Sequence, residues 1–264
     1  MASRPKQSAN REGRMSLGQH LVELRKRLTI AAVAILVAAV GSWWLVPFAF
    51  DSLRSPLTQA GILDHRVVSL NFQGLTTAFD VKIQIAITIG VVISSPVWLY
   101  QIWAFIVPGL KRRERRYAYG FLGSAIPLFL AGCVAGWFIM PHMVQLLTSF
   151  ADKPDTSLIN AKDYVDFILK LVIAVGIGFV LPVFLVLLNF IGILSAKTIL
   201  KGWRVAVILI TVFTALVTPS ADVISMFILA VPMVALFFGA ALVAWLHDRS
   251  VAKRLETFAA EIAV

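Results

Sequence analysis

Long apolar stretches alternate with short polar segments along the chain. Crossing about 30 Å of hydrocarbon as a helix takes about 20 residues, and six stretches reach or approach that length. They are residues 28–50, 81–106, 118–147, 164–190, 203–217 and 223–246. The pattern predicts an all-α integral membrane protein with six transmembrane helices. Residues 16–248 form the membrane domain, between a disordered tail at 1–15 and a second tail at 249–264.

Two of these stretches have unusual lengths. The apolar run at 28–50 exceeds the 7–15 residues of a signal-peptide core and has no convincing cleavage site, so we expect a permanent span. The stretch at 203–217 rises only about 22 Å as a helix and must thin the bilayer or rely on protein neighbours. A turn at residues 218–220 follows it, which predicts a helical hairpin with the last span.

Prolines and loops give the expected shape. Four prolines fall within predicted spans, where each removes a backbone donor and tends to kink its helix: Pro96, Pro127, Pro182 and Pro232. Bent helices favour a cupped, glove-like wall over a straight bundle. The segment 51–80 is too long for a simple turn and is expected to form a cap of short helices.

Composition agrees with lipid as the solvent. Of the 264 residues, 59% are hydrophobic and 14% are charged. Soluble domains usually contain about 45–50% apolar residues and about 25% charged residues. The net charge of +10 lies in short runs between apolar stretches, so membrane topology explains it better than nucleic-acid binding.

The distribution of Lys and Arg predicts the orientation. If the N-terminus, the loops at 107–117 and 191–204 and the C-terminus share one side, that side holds 18 of the 24 basic residues and 6 of the 14 acidic ones. The positive-inside rule then places both termini in the cytoplasm, in a multi-pass protein of the plasma (inner) membrane.

Enzymatic and metal-binding signatures are absent from the sequence. There is no H-E-x-x-H, G-x-S-x-G or phosphate-binding G-x-x-x-x-G-K-[ST] pattern. Cys133 is the only cysteine, which excludes an intramolecular disulfide. Histidines 20, 65, 142 and 247 are far apart near predicted span ends, which favours interfacial roles over metal ligation. We therefore expect neither an enzyme nor a cofactor.

Two carboxylates in basic surroundings are candidates for ligand binding. Glu23 lies in HLVELRKRL at residues 20–28, and Glu114 lies in KRRERR at residues 111–116, both at a predicted cytoplasmic border. Each could simply relieve crowding among neighbouring arginines. Alternatively, the pair could accept guanidinium groups of a ligand, for which carboxylates have suitable bidentate geometry.

Other polar residues have simpler interpretations. Asp222 opens the last span, where it could cap the helix or interact with its dipole. Charged residues near the outer span ends suit interfacial anchors: Asp80, Lys82, Asp166 and Lys170. The central portions of all six spans lack Asp, Glu, Lys and Arg, which argues against a proton or sodium relay.

Three blocks of sequence, in order, resemble signatures of the TatC family. They are HLVELRKRL at 20–28, SPVWLYQIWAFIVP at 95–108 followed by ERR at 114–116, and TP at 218–219 with Asp222 and AVP at 230–232. The similarity extends from about residue 16 to residue 248.

The resemblance implies a glove-shaped receptor for the twin-arginine signal peptides of folded cargo, in Sec-independent export driven by the proton motive force. It implies single-span TatA- and TatB-type partners and a homo-oligomer in the receptor complex. By position, Glu23 and Glu114 match the acidic residues that meet the signal's arginines. Arg25, Phe105 and Pro108 match other signal-binding residues, and Pro56 and Asp222 match positions needed for assembly or transport.

Two positions depart from the family pattern. Many members carry a glutamate two residues before the fourth-span proline, where this chain has Val180, and a glutamine where it has Met226. Polar contacts to partner helices inside the membrane are therefore in doubt. Docking could depend on packing instead, with Thr211 or Thr214 as the polar groups.

Three other classes of function are weighed against this one. A small-solute transporter would need a polar pathway across the membrane, which the uncharged span centres do not provide. An intramembrane enzyme would need a nucleophile and base or a metal site. A static scaffold would show no preference for paired arginines in a bound peptide.

Overall fold

The structure is a computed structural model that describes residues 17–63, 69–106, 115–149, 158–218 and 223–262. Within those ranges it contains nine α-helices, one 3₁₀ turn and two short strands. In chain order they are α1 (Leu17–Gly41), the 3₁₀ turn (Ser42–Leu45), α2 (Val46–Leu63), β1 (Ser69–Asn71), α3 (Thr77–Ile93), α4 (Ser95–Ile106), α5 (Arg115–Ser149), β2 (Leu158–Asn160), α6 (Ala161–Phe190), α7 (Ala196–Lys201), α8 (Trp203–Val217) and α9 (Val223–Ile262).

All six predicted apolar stretches are helical. Among the described residues, four helical segments are long and apolar enough to cross a membrane alone: Gly18–Thr58, Gly120–Gln145, Ala161–Phe190 and Met226–Arg254. The predicted span at 81–106 is two helices, α3 and α4, which meet at 61°. Helix α8 is the short apolar helix of 15 residues that the sequence predicts.

Helices α5 and α6 form the centre of the molecule. Gly132 and Gly176 bring their backbones together, since a Cβ on Gly132 would lie 2.8 Å from the Cα of Gly176. Small residues allow such close approach between membrane helices. The ring of Phe129 lies against Gly176 and is completely buried, as is Ile168 of α6. Helices α2, α3, α4, α8 and α9 pack against this central pair.

Helix α1 is fixed against α3 by a second close contact. A Cβ on Gly90 would lie 2.7 Å from the backbone nitrogen of Ala39. The buried hydroxyl of Ser42 donates to the carbonyl of Ala86 at 3.0 Å, or to that of Ala39 at 2.9 Å. These contacts fix the C-terminal half of α1, and its N-terminal half contacts α4.

The expected cap of short helices at 51–80 is wrong. Helix α2 continues to Leu63, and β1 then pairs in parallel with β2, with Leu70 opposite Ile159. The Tyr164 hydroxyl donates to the carbonyl of Leu53 at 2.7 Å. A small sheet and one side-chain bond thus connect the two predicted outer loops.

Polar contacts join the ends of α6, α7 and α9. The Asn189 amide donates to the carboxylate of Asp248 and to the carbonyl of Leu194, both at 2.9 Å. The second Asp248 oxygen accepts from the backbone N–H of Ala196 at 2.7 Å. Gly192 has φ +77°, which glycine adopts without strain. These bonds hold the turn between α6 and α7 against α9.

The predicted tails have different outcomes. Helix α9 continues to Ile262, so most of the tail predicted at 249–264 is helical. The predicted tail at 1–15 and the turn residues Pro219 and Ser220 lie outside the described residues.

Candidate functional site

An ion pair on the N-terminal half of α1 is the starting point of the candidate site. Glu23 and Arg27 are four residues apart, so they lie on one face of the helix. Oε1 of Glu23 accepts a hydrogen bond from Nε of Arg27 at 2.9 Å and another from its Nη2. The Glu23 side chain is 18% exposed and that of Arg27 24%. Water therefore screens this pair only in part.

The other oxygen of Glu23 is unsatisfied. Oε2 is buried and accepts no hydrogen bond from any residue that the structure describes. Leaving a buried acceptor without a donor costs about 1–3 kcal/mol, and more when it is charged. The carboxylate thus has one oxygen held by Arg27 and one that a further donor would stabilise.

Helix α4 forms the opposite side of the site. Gln101 accepts from Nη1 of Arg27 at 3.4 Å. One turn farther along α4, Phe105 stacks on His20 of α1, with ring centroids 4.4 Å apart and planes 20° apart. The two helices run antiparallel, so the Glu23–Arg27 pair lies between the stacked rings and the membrane-embedded part of the molecule.

The bend between α3 and α4 directs α4 toward α1. Pro96 lacks a backbone N–H, so a continuous helix here would lose a bond, and the chain begins a new helix at Ser95 instead. The indole N–H of Trp98 donates to the carbonyl of Val91 at 2.9 Å, across the bend. The sequence Ser-Ser-Pro at 94–96 thereby fixes the direction of the helix that carries Gln101 and Phe105.

An apolar groove of about 550 Å³ continues from this site along α1 and the start of α4. Its lining residues are Thr29, Ile30, Val33, Ala34, Val37, Ala38, Ser94 and Val97. Its polar groups are turned away, since the Thr29 hydroxyl donates to the carbonyl of Arg25 at 2.8 Å. Ile30 and Val97 lie about one helical turn from Arg27 and Gln101 respectively, so the apolar groove begins beside the polar site.

The structure describes three of the five predicted signal-binding residues. Glu23 and Phe105 both lie at the α1–α4 contact, and Arg25 is exposed on α1. Pro108 and Glu114 lie outside the described residues. The predicted pairing of Glu23 with Glu114 therefore stays a prediction.

Of the two positions expected to matter for assembly or transport, Pro56 is described. It is buried inside α2, on the face that also buries Leu53 and Leu57. A proline removes the hydrogen bond to the carbonyl four residues before it, here that of Ser52, and the neighbouring Leu53 carbonyl accepts the Tyr164 hydroxyl. Asp222 lies outside the described residues.

The four tentative docking residues differ in exposure. Val180 is 3% exposed and Thr214 is 1% exposed, whereas Thr211 and Met226 are partly exposed. The hydroxyls of both threonines donate to carbonyls of their own helix, at 2.8 Å for Thr211 and 3.0 Å for Thr214. Of these four residues, only Thr211 and Met226 therefore reach the surface of the chain.

A polar seam lies between α3 and α6, near the N-terminal ends of both helices. Lys162 pairs with Asp80 at 3.5 Å, and the Gln84 amide donates to Asp166 at 2.5 Å. Lys170 reaches back one turn to the same carboxylate, also at 2.5 Å. Three of the four residues that the sequence suggested as interfacial anchors belong to this seam, Asp80, Asp166 and Lys170, whereas the fourth, Lys82, is exposed on α3.

Sequence reasoning missed two members of the α1–α4 site. The spacing of Glu23 and Arg27 could have predicted their ion pair, since residues four apart on a helix are neighbours. Gln101 lies in the TatC-like block at 95–108, but its contact with Arg27 depends on the bend at Ser94, which the sequence alone does not define. Among the described residues, no group of three or more His, Cys, Asp or Glu could hold a metal ion.

Comparison with known proteins gives a consistent result. The sequence profile described as "Sec-independent protein translocase protein (TatC)" matches residues 19–232. The chain is 44% identical to the Sec-independent protein translocase protein TatC of Xylanimonas cellulosilytica over 250 residues, 95% of this chain and 91% of the relative. It is 37% identical to the TatC protein of Rothia mucilaginosa, covering 95% and 86% of the two chains.

Solved structures agree with the sequence relatives. A crystal structure described as the twin arginine translocase receptor TatC superposes with a TM-score of 0.71 at 29% identity, over 86% of this chain and 98% of that one. A second, of the same receptor in DDM, gives a TM-score of 0.73 at 28% identity, over 85% and 99%. The profile covers most of the chain and both relatives match nearly all of it, so this protein belongs to the TatC family of Sec-independent protein translocase proteins.

Proposed function

We propose that this chain is the receptor subunit of a twin-arginine translocase and binds the paired arginines of signal peptides on the cytoplasmic face of the plasma membrane. Membership of the family already makes it a component of a membrane protein translocase and not an enzyme. The observation that carries the proposal is the buried, unsatisfied Oε2 of Glu23.

The chemistry of the ligand suits this carboxylate. A guanidinium is planar, always charged and able to donate two parallel hydrogen bonds to a carboxylate. Around Glu23 the surface is basic, with Arg25 and Lys26 exposed on the same helix. A cationic peptide is repelled by those neighbours unless its arginine reaches the carboxylate, which favours specificity as well as attraction.

A second arginine needs a second carboxylate, and we propose Glu114 for that role. Its basic surroundings resemble those of Glu23, and α5 begins at the residue that follows it. Pro108 lies in the connection between α4 and α5, so we include it in the binding region with Phe105 and Arg25.

The groove beside Glu23 suits the apolar part of a signal peptide. A segment that follows the arginine pair could continue along Ile30, Val33 and Val37 without passing a polar surface. Burying apolar side chains there would contribute about 25 cal/mol per Å² removed from water. Binding would thus combine one charged anchor with a longer apolar contact.

The translocase as a whole requires partners. We propose that both termini are cytoplasmic, that the receptor forms homo-oligomers with TatA- and TatB-type single-span subunits, and that the proton motive force drives export. Pro56 would act through the α2 packing it maintains. Asp222 would act at the outer end of the α8–α9 hairpin, where the shortness of α8 favours neighbouring helices over lipid.

Helix α8 also has a continuous apolar face for such a partner helix. Val205, Ile208, Val212 and Leu216 are exposed on it. We propose that a partner packs there against Thr211 and Met226, while the buried Val180 and Thr214 support that face from within. Cross-links from partner helices that avoid α8 and α9 would exclude this arrangement.

Site-specific photo-cross-linking tests the receptor role. A photoreactive residue is placed beside the arginine pair of a signal peptide and mapped in membranes containing the parent protein, Glu23→Gln or Glu114→Gln. The matched control is Glu256→Gln, which removes an exposed carboxylate from α9.

We expect labelling of residues 20–27 and 101–116 that weakens with Lys-Lys signals and in both site variants, but persists in Glu256→Gln. Equal labelling across all combinations would contradict the proposal. It would reduce both glutamates to charge balancing and favour a scaffold.

A further inference from the structure

Arg27 already binds the Glu23 carboxylate, which is the group that a ligand arginine needs. Its guanidinium donates to Oε1 of Glu23 through both Nε and Nη2, while Oε2 has no partner among the described residues. The guanidinium thus bonds one carboxylate oxygen and leaves the other unused. A guanidinium approaching end-on could bond both oxygens at once, which is the stronger arrangement.

The two guanidiniums exclude each other. Arg27 and a ligand arginine on the same carboxylate would be two like charges within a few ångströms, at a site that is only partly exposed. The side chain of Arg27 has an alternative partner, because its Nη1 already donates to Gln101 at 3.4 Å. It can therefore leave Glu23 while keeping one hydrogen bond.

We propose that Arg27 is an internal competitor of the signal peptide, which must displace it from Glu23 in order to bind. The inference rests on the proposed receptor function and assigns to Arg27 the role of setting the affinity of that site. In the free receptor Arg27 neutralises Glu23, and on binding the ligand arginine takes both oxygens while Arg27 turns to Gln101.

Competition of this kind has a definite consequence for selectivity. Every ligand cation, whether arginine or lysine, displaces the same Arg27 contact from the same carboxylate. Removing the competitor therefore tightens binding of Arg-Arg and Lys-Lys peptides by one common factor. The preference for arginine is unchanged, since it comes from the bidentate bond with Glu23.

The experiment measures Kd for fluorescent Arg-Arg and Lys-Lys signal peptides on full-length protein in nanodiscs. The variants are Arg27→Gln, Arg27→Lys and Glu23→Gln, and thermal unfolding of each confirms that it is folded. Lys26→Gln is the charge-matched control. Lys26 is the exposed neighbour of Arg27, and this substitution removes the same net charge as Arg27→Gln.

We expect Arg27→Gln to tighten binding of both peptides about fivefold, which corresponds to roughly 1 kcal/mol and to the upper range for a partly exposed ion pair. Arg27→Lys should tighten binding less, because a lysine keeps the charge but loses the fork. Lys26→Gln should change either Kd by less than about twofold, because an exposed charge is screened.

Weaker or unchanged binding in a folded Arg27→Gln protein would overturn the inference and make Arg27 a positioning residue for Glu23. A change equal to that in Lys26→Gln would also overturn it, leaving only general charge repulsion. If Glu23→Gln binds both peptides as the parent does, the receptor site itself is wrong and the role of Arg27 fails with it. Weakened binding by Glu23→Gln without tightening by Arg27→Gln rejects the competitor alone.

Discussion

The α1–α4 site and the α3–α6 seam both contain carboxylates and amides, but they differ in whether their polar atoms have hydrogen-bond partners. At the α3–α6 seam, both oxygens of Asp166 are used, one by Gln84 and one by Lys170, and no polar side chain of the seam is buried without a partner in the part of the chain that the structure describes. On α1 and α4, three buried polar atoms have no such partner: Glu23 Oε2, Ser95 Oγ and Trp103 Nε1.

The difference is consistent with a structural role for the seam and with the binding role proposed for the α1–α4 site. Buried polar atoms are normally hydrogen-bonded, so each exception needs an explanation. The α3–α6 contacts are complete within the chain and can be explained by packing two helices. At the α1–α4 site, Oε2 of Glu23 lacks a donor among the described residues, as expected of a site that binds a cationic ligand.

The largest predicted effect is on ligand binding at the incomplete site. Glu23→Gln should weaken binding of an Arg-Arg signal peptide about 30- to 100-fold, because it removes the charge from a hydrogen-bonded carboxylate. Its midpoint of thermal unfolding should stay close to that of the parent, since Oε2 contributes no bond to the fold and the partly exposed ion pair of Oε1 with Arg27 contributes only about 0–1 kcal/mol. Peptide titration and unfolding of the same preparation measure both, with Glu256→Gln as control. A large loss of stability would show that Glu23 is a structural residue.

The complete seam should respond in the opposite way. Asp166→Ala leaves the Gln84 amide and the Lys170 ammonium without their acceptor, which should cost about 1–2 kcal/mol of unfolding free energy. The affinity of the folded protein for signal peptide should be unchanged. Denaturant titration in detergent measures the unfolding free energy, and peptide titration measures the affinity. Asp51→Ala, at an exposed position of α2, is the control. Loss of peptide affinity with unchanged stability would break the contrast between the two regions.

A smaller effect is expected from the lysine of the same seam. Lys170→Met removes a partner whose side chain is 74% exposed, so the cost should be about 0–1 kcal/mol of unfolding free energy. Asp166 keeps its bond from Gln84 in this variant. The same denaturant titration applies, with Lys82→Met as control, since Lys82 is exposed on α3. A cost above that of Asp166→Ala would show that Lys170 has a role beyond the ion pair.

Much of the fold can be predicted from the sequence because a lipid bilayer restricts which backbone structures a membrane-spanning segment can adopt. Apolar runs of sufficient length must be helices in a bilayer, since every backbone polar group needs an internal partner. The stretches at 28–50 and 164–190 are accordingly helical throughout, apart from the 3₁₀ turn at 42–45. The strand at 69–71 was not predicted, because it has only three residues and depends on pairing with 158–160.

The candidate site was predicted in part for a similar reason. Glu23 could be identified from its basic surroundings and from the family resemblance, which are local features of the sequence. The contact of Arg27 with Gln101 joins residues 74 positions apart and depends on the 61° bend between α3 and α4. Burial of Val180 likewise depends on how α6 packs, so the sequence could not show that this position faces the core.

One measurement tests the receptor proposal most directly. Kd values are determined for Arg-Arg, Lys-Arg, Arg-Lys and Lys-Lys signal peptides on the parent protein and on Glu23→Gln, which forms a double-mutant cycle for each arginine. We predict that one of the two arginines is coupled to Glu23 by about tenfold or more, equivalent to roughly 1.4 kcal/mol. Equal effects of each lysine substitution in the two proteins would contradict the proposal, because Glu23 would then contact neither arginine.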